Sequence, residues 1–111
     1  MSIDSKKNRI ESEKRDIERM KNYISRYRDE IKGYREDKKR DSERYRDKIQ
    51  NASSSSSKSS YRSSKRRSAE NYARKIDSKK NDIDRKKDSI RRHREKISDL
   101  RDDIKDLKKR R

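Results

Sequence analysis

Isoleucine returns every seven residues in two separate stretches, at Ile3, Ile10, Ile17, Ile24 and Ile31 and again at Ile76, Ile83, Ile90, Ile97 and Ile104. A period of seven with polar residues between is the pattern of a helix that buries one narrow seam, with each Ile at heptad position a. Position d then runs Lys6, Glu13, Met20, Tyr27, Tyr34 in the first stretch and Lys79, Lys86, His93, Leu100, Leu107 in the second. Such a seam is half polar. Each helix needs a partner, because packing of one face, rather than propensity, stabilises helices of this kind. The chain therefore reads as all-α, with a first heptad helix within residues 1–51 and a second within 65–111. Residues 52–64, cut from the run NASSSSSKSSYRSSKRRS, carry no heptad and read as a disordered serine-rich connector.

Local signals agree with two helices. Ser2 can cap the first free N–H groups and Asp4 meets the positive end of the first helix, while Lys108, Lys109, Arg110 and Arg111 complement the negative end of the second. There is no proline, and Gly33 is the only glycine; inside a helix it costs on the order of 1 kcal/mol relative to Ala and permits a bend or a close helix approach. Two arrangements compete. In a long antiparallel hairpin, pairing residues whose numbers total about 110 sets Ile10 on Leu100 and Tyr34 on Ile76 and drops the turn into Ser53–Ser57. In a parallel self-associated coiled coil, Asp16/Lys21 and Glu30/Arg35 become favourable pairs. Exposed pairs contribute only about 0–1 kcal/mol each, so connectivity decides for the hairpin.

Residues 3–35 recur at 76–108: IDSKKNRI lies over IDSKKNDI and ISRYRDEIK over ISDLRDDIK, in the same heptad phase. An ungapped identity over IDSKKN favours duplication over convergence from a small alphabet, and both arms are expected to do one job. Alignment of the arms exposes position e, which is Lys7, Lys14, Lys21, Arg28 and Arg35 in one and Lys80, Lys87, Arg94, Arg101 and Lys108 in the other. All ten are basic, whereas position g is mixed. In a hairpin e faces e, so the two columns form a double basic ridge about 40 Å long.

Composition narrows the function. Of 111 residues 55% are charged and 22% hydrophobic, which leaves no material for a conventional core. The net charge of +17 favours an anionic partner, yet acidic residues are interleaved through both arms, and helix pairs such as Glu11/Arg15, Glu36/Arg40 and Asp88/Arg92 make most charges ordinary solvation. No apolar stretch is long enough for a membrane span and the start MSIDSKKN has no apolar signal region, so a cytoplasmic address is expected. Without Cys there is no thiol chemistry. His93, the only histidine, has no Cys or second His to share a metal and reads as a seam residue; Tyr27 and Tyr34 continue the d column, and Tyr61 stands among Arg62, Lys65, Arg66 and Arg67, where an aromatic can stack on a base. No nucleophile and base pair, phosphate loop or carboxylate dyad is present, so no enzyme, cofactor or metal is expected. SSYRSSKRRS is faintly similar to serine/arginine-rich tracts but lacks their alternating repeats, and no family is assigned. The expected function is contact with a polyanion, nucleic acid first, through the ten e residues. The alternatives are a structural or adaptor coiled coil that pairs with an acidic helical protein or with itself, or a basic edge with no partner at all.

Overall fold

A computed structural model describes residues 2–110, in which α1 spans Ile3–Asn51 and α2 spans Ser55–Lys109. No strand occurs among the described residues. Both helices begin with the same local device. Ser2 Oγ accepts the backbone N–H of Ser5 at 3.1 Å, and Ser54 Oγ accepts that of Ser57 at 3.1 Å; each capping hydroxyl also reaches the hydroxyl three residues on, at 3.0 Å. These caps satisfy donors that the first turn cannot bond internally. The capping role expected of Ser2 is therefore met, with Asp4 in the first turn of α1 and Lys108 and Lys109 in the last turn of α2.

Ser54 also corrects the expectation of a disordered connector over 52–64. Only residues 52–54 interrupt the helices, and the rest of the serine run forms the start of α2. Serine is a middling helix former rather than a breaker, and with an N-cap in place and no Pro or Gly it continues a helix at modest cost.

The chain divides into two compact units. The terminal unit joins Met1–Arg26 to Asp82–Arg111, and the turn unit is Tyr27–Asn81. Within each, α1 and α2 run antiparallel. In the terminal unit Lys6 meets Asp103 at 3.2 Å and Lys86 lies 4.8 Å from the Tyr23 ring centroid, residue numbers that total 109 in both pairs. In the turn unit Ser68 donates to Asp41 at 3.0 Å, and Lys79 meets Glu30 at 2.8 Å, again with totals of 109. That constancy marks one antiparallel register in each unit, within a residue of the value expected from the layers.

The seam is buried as the heptad demands. Ile10, Ile17, Ile24, Ile31, Ile76, Ile83, Ile90, Ile97 and Ile104 are 6–8% exposed, with Leu100 beside them at 7%. Ile3, in the first turn of α1, is half-buried, since no preceding turn covers it. The polar d residues Lys6, Glu13, Lys79, Lys86 and His93 are half-buried.

Beyond Tyr34 the seven-residue period gives way. Lys38 and Arg62, which would continue position a, are exposed, and Tyr34, Tyr45, Tyr61 and Tyr72 turn inward instead. Tyr34 and Tyr45 are eleven residues apart, as are Tyr61 and Tyr72. Eleven residues in three turns is about 3.67 per turn, which holds a stripe on one face of a nearly straight helix. Gly33 makes no close approach: a Cβ placed there meets nothing within 4 Å.

Candidate functional site

The flanks of the seam differ, and the difference begins with charge. All ten basic e residues, Lys7, Lys14, Lys21, Arg28, Arg35, Lys80, Lys87, Arg94, Arg101 and Lys108, are exposed. Lys14, 3.4 Å from Glu11, is the one with an ion pair among the described residues. On the opposite flank Asp16, Tyr23, Glu30 and Asp37 of α1, with Asp82 and Ser89 of α2, are half-buried at position g. Lysines at d reach across to that flank, Lys6 to Asp103 and Lys79 to Glu30. These two ion pairs correspond under the internal repeat, since both partners shift by 73 positions. Like charges at facing e positions repel and stay in water, while the d cations Lys6 and Lys79 find anions at g.

Each unit carries its own share of the e columns. The terminal unit holds Lys7, Lys14 and Lys21 on α1 and Lys87, Arg94, Arg101 and Lys108 on α2; Arg94 and Arg101 border a concavity floored by Ile17 and Ile97. The turn unit holds Arg28, Arg35 and Lys80, and there Arg35 and Lys80 line one groove with Lys38, Lys39 and Arg46, and with the acids Glu43 and Asp77, over Ala73 and Ile76. That groove runs on, through Lys38, Ser42 and Arg46, to a stretch lined by Arg62, Lys65 and Arg66 over Ile49 and Ala69. Sequence reasoning confined to heptads missed Lys38, Lys39 and Arg46, because the eleven-residue spacing swings them onto the groove's edge. Their proximity in sequence to the arms was the only available signal.

Where outer charges pair, the spacing is mostly three residues rather than the expected four; Arg91 with Glu95, 3.9 Å apart, keeps four. Glu11 bonds Lys14 rather than Arg15, Arg40 bonds Asp37 at 2.8 Å rather than Glu36, and Asp88 lies 3.9 Å from Arg91 rather than pairing with Arg92. Arg19 with Asp16, Arg44 with Asp41 and Arg85 with Asp82 repeat the three-residue spacing. Most of the acids are Asp, whose short side chain meets the neighbour one turn on at i+3 more readily than at i+4.

Every tyrosine lies under a cation. Arg26 and Lys86 cover Tyr23, Lys79 covers Tyr27, Lys75 covers both Tyr34 and Tyr72, and Lys48 covers both Tyr45 and Tyr61, at 4.8–5.8 Å from the ring centroids. Tyr61, read from the sequence as a loop aromatic available for stacking on a base, is instead a half-buried helix residue facing Lys48. Burial pushes the Tyr72 phenol above its ordinary value, and the carboxylates of Asp41 and Asp37 push it the same way by opposing a second negative charge. His93 contacts Glu13 across the seam of the terminal unit, and Asp16 stands close by. No helix among the described residues is long and apolar enough to cross a membrane.

Comparison with known proteins gives no matching family model, no matching curated sequence and no matching solved structure.

Proposed function

We propose that the chain acts by contact, as a basic antiparallel helical hairpin that binds nucleic acid along the sugar–phosphate backbone through its e-position lysines and arginines. One asymmetry carries this reading. Among the described residues all ten e cations are exposed and Lys14 alone of them has an ion pair, whereas Lys6 and Lys79 at d hold acids at g and Arg19, Arg40, Arg44 and Arg85 hold acids one turn away; other outer cations, such as Arg15 and Arg92, hold none. On one helix successive e residues are about 10 Å apart, so each unit offers several separate phosphate contacts. Binding of that type gains from counterion release and reads no bases. Its direct test is fluorescence anisotropy of labelled duplex DNA and RNA across a salt series. Log affinity should fall linearly with log salt and differ little among sequences; no binding at about 0.1 M salt, where the Debye length is about 10 Å, contradicts the reading.

A second reading draws on one observation, the apolar floor of the turn unit's groove, Ile49, Ala69, Ala73 and Ile76, between rims on which the basic residues outnumber the acids Glu43 and Asp77. Phosphate gains nothing from that floor, whereas an amphipathic helix with acidic flanks covers it and pairs with the rims. Tight binding of an acidic amphipathic peptide that persists in 0.5 M salt (roughly 4 Å Debye length), beside weak nucleic-acid binding, decides for this alternative.

A further inference from the structure

Glu13, Asp16 and His93 form the one place in the described chain where an imidazole and two carboxylates converge, their ligating atoms all within 4.8 Å of one another. Glu13 and Asp16 lie one turn apart on α1, and His93 comes from the facing layer of α2. Glu13 and His93 are among the more enclosed polar side chains, 14% and 18% exposed, and Asp16 is 31% exposed. Both Glu13 and His93 occupy d positions, where Leu100, one heptad further along α2, is fully packed. Replacing a buried polar pair by a well-packed apolar pair is often neutral or stabilising, so stability does not account for this pair. Duplication does not account for it either: the counterparts of Glu13, Asp16 and His93 in the other copy are Lys86, Ser89 and Met20. All three ligand-type residues are therefore particular to one layer of the terminal unit.

We propose that Glu13, Asp16 and His93 bind a single Zn²⁺ between α1 and α2. One nitrogen and two carboxylate oxygens suit Zn²⁺, which takes such ligands at about 2.0–2.2 Å and, in a tetrahedral site, sets ligand atoms about 3.4 Å apart. The three ligating atoms lie within 4.8 Å of one another before any metal draws them together. Three protein ligands leave the fourth position to water. Asp16 holds Arg19 with one oxygen, Oδ1, and has its second oxygen for the metal. Bound Zn²⁺ replaces the Glu13–His93 contact by a link between two helices, so it stabilises this unit over the unfolded chain.

The experiment uses the full chain freed of metal with a chelator and then titrated with ZnCl₂. Calorimetry should saturate at one equivalent, and the melting temperature followed by circular dichroism should rise by about 5 °C or more at saturation. Because the chain has one histidine, its ring resonances in nitrogen-correlated NMR report the site without ambiguity. They should shift in step with the first equivalent. His93→Leu places at d the residue found at Leu100, keeps the fold and should abolish the response; Asp16→Asn keeps the Glu13–His93 contact and should weaken binding about tenfold or more. An unmoved histidine ring overturns the proposal and leaves a plain polar contact between the helices. Equal Zn²⁺ affinity in wild type, His93→Leu and Asp16→Asn overturns it too, as adventitious binding to surface carboxylates.

Discussion

At the scale of single residues, this protein packs with what its composition allows. Isoleucine fills position a, and where the d position lacks an aliphatic residue, a tyrosine lies beneath a lysine or a lysine reaches an acid across the seam. Lys75 covers both Tyr34 and Tyr72, so Lys75→Gln should cost about 1 kcal/mol in urea denaturation, from two cation–π contacts of ordinary exposed strength. Ile31→Ala should cost more, about 2–3 kcal/mol, since Ile31 is 6% exposed and its loss opens a cavity in a core one layer deep. Tyr72 gives a pH prediction. Its phenol titrates above the ordinary value because of burial first and then Asp41 and Asp37, so folding favours the protonated form. Its contribution to stability is full below the unfolded value of about 10 and is lost as pH rises through the folded one. Absorbance at 295 nm, compared between wild type and Tyr72→Phe, should show the Tyr72 phenol titrating late, and Asp41→Asn should bring it earlier. Isoleucine burial was legible from spacing alone. The cation over each ring was not, because cross-helix neighbours depend on register, and Glu13 and Asp16 became visible as neighbours of His93 only once that register was set.

The helices themselves were legible in their existence, their caps at Ser2 and their heptad phase, and less so in their extent. Serine content made residues 55–64 look like connector, but the cap at Ser54 and the absence of a breaking residue let α2 begin there. Amide hydrogen exchange should find protection at residues 59–64 well above that of a random chain. Ser54→Ala should lower stability by about 1 kcal/mol and selectively speed exchange in the first turn of α2. Gly33→Ala should act in the other direction, by about 1 kcal/mol, because a methyl group there enters open space on a helix with no positive φ. A loss of stability in that variant would show that Gly33 serves the close approach or bend that its sequence position suggested. The shift from a seven- to an eleven-residue period escaped a search for heptads. Its mark was the spacing of Tyr34 to Tyr45 and of Tyr61 to Tyr72, a pattern too sparse to recognise without knowing that all four face inward.

For the molecule as a whole, net charge says less than where charge is left unpaired. Of the cations outside the e columns, several have a defined anion, including Lys6, Lys79, Arg19, Arg40, Arg44 and Arg85, and the e columns have almost none. The sequence similarity of residues 3–35 and 76–108 puts the same column on both helices, and antiparallel pairing brings e beside e within each unit. Two variants of equal charge separate this arrangement from diffuse attraction. Lys14, Lys21, Lys87 and Arg94 changed to Gln remove four e residues of the terminal unit, and Arg15, Arg19, Arg85 and Arg92 changed to Gln remove four outer ones from the same unit. The decisive measurement is the slope of log affinity for duplex nucleic acid against log salt in wild type and both variants. A defined phosphate-binding flank predicts that the first variant loses about 3–4 from the magnitude of the slope while the second stays near wild type. Equal losses in the two variants would contradict it.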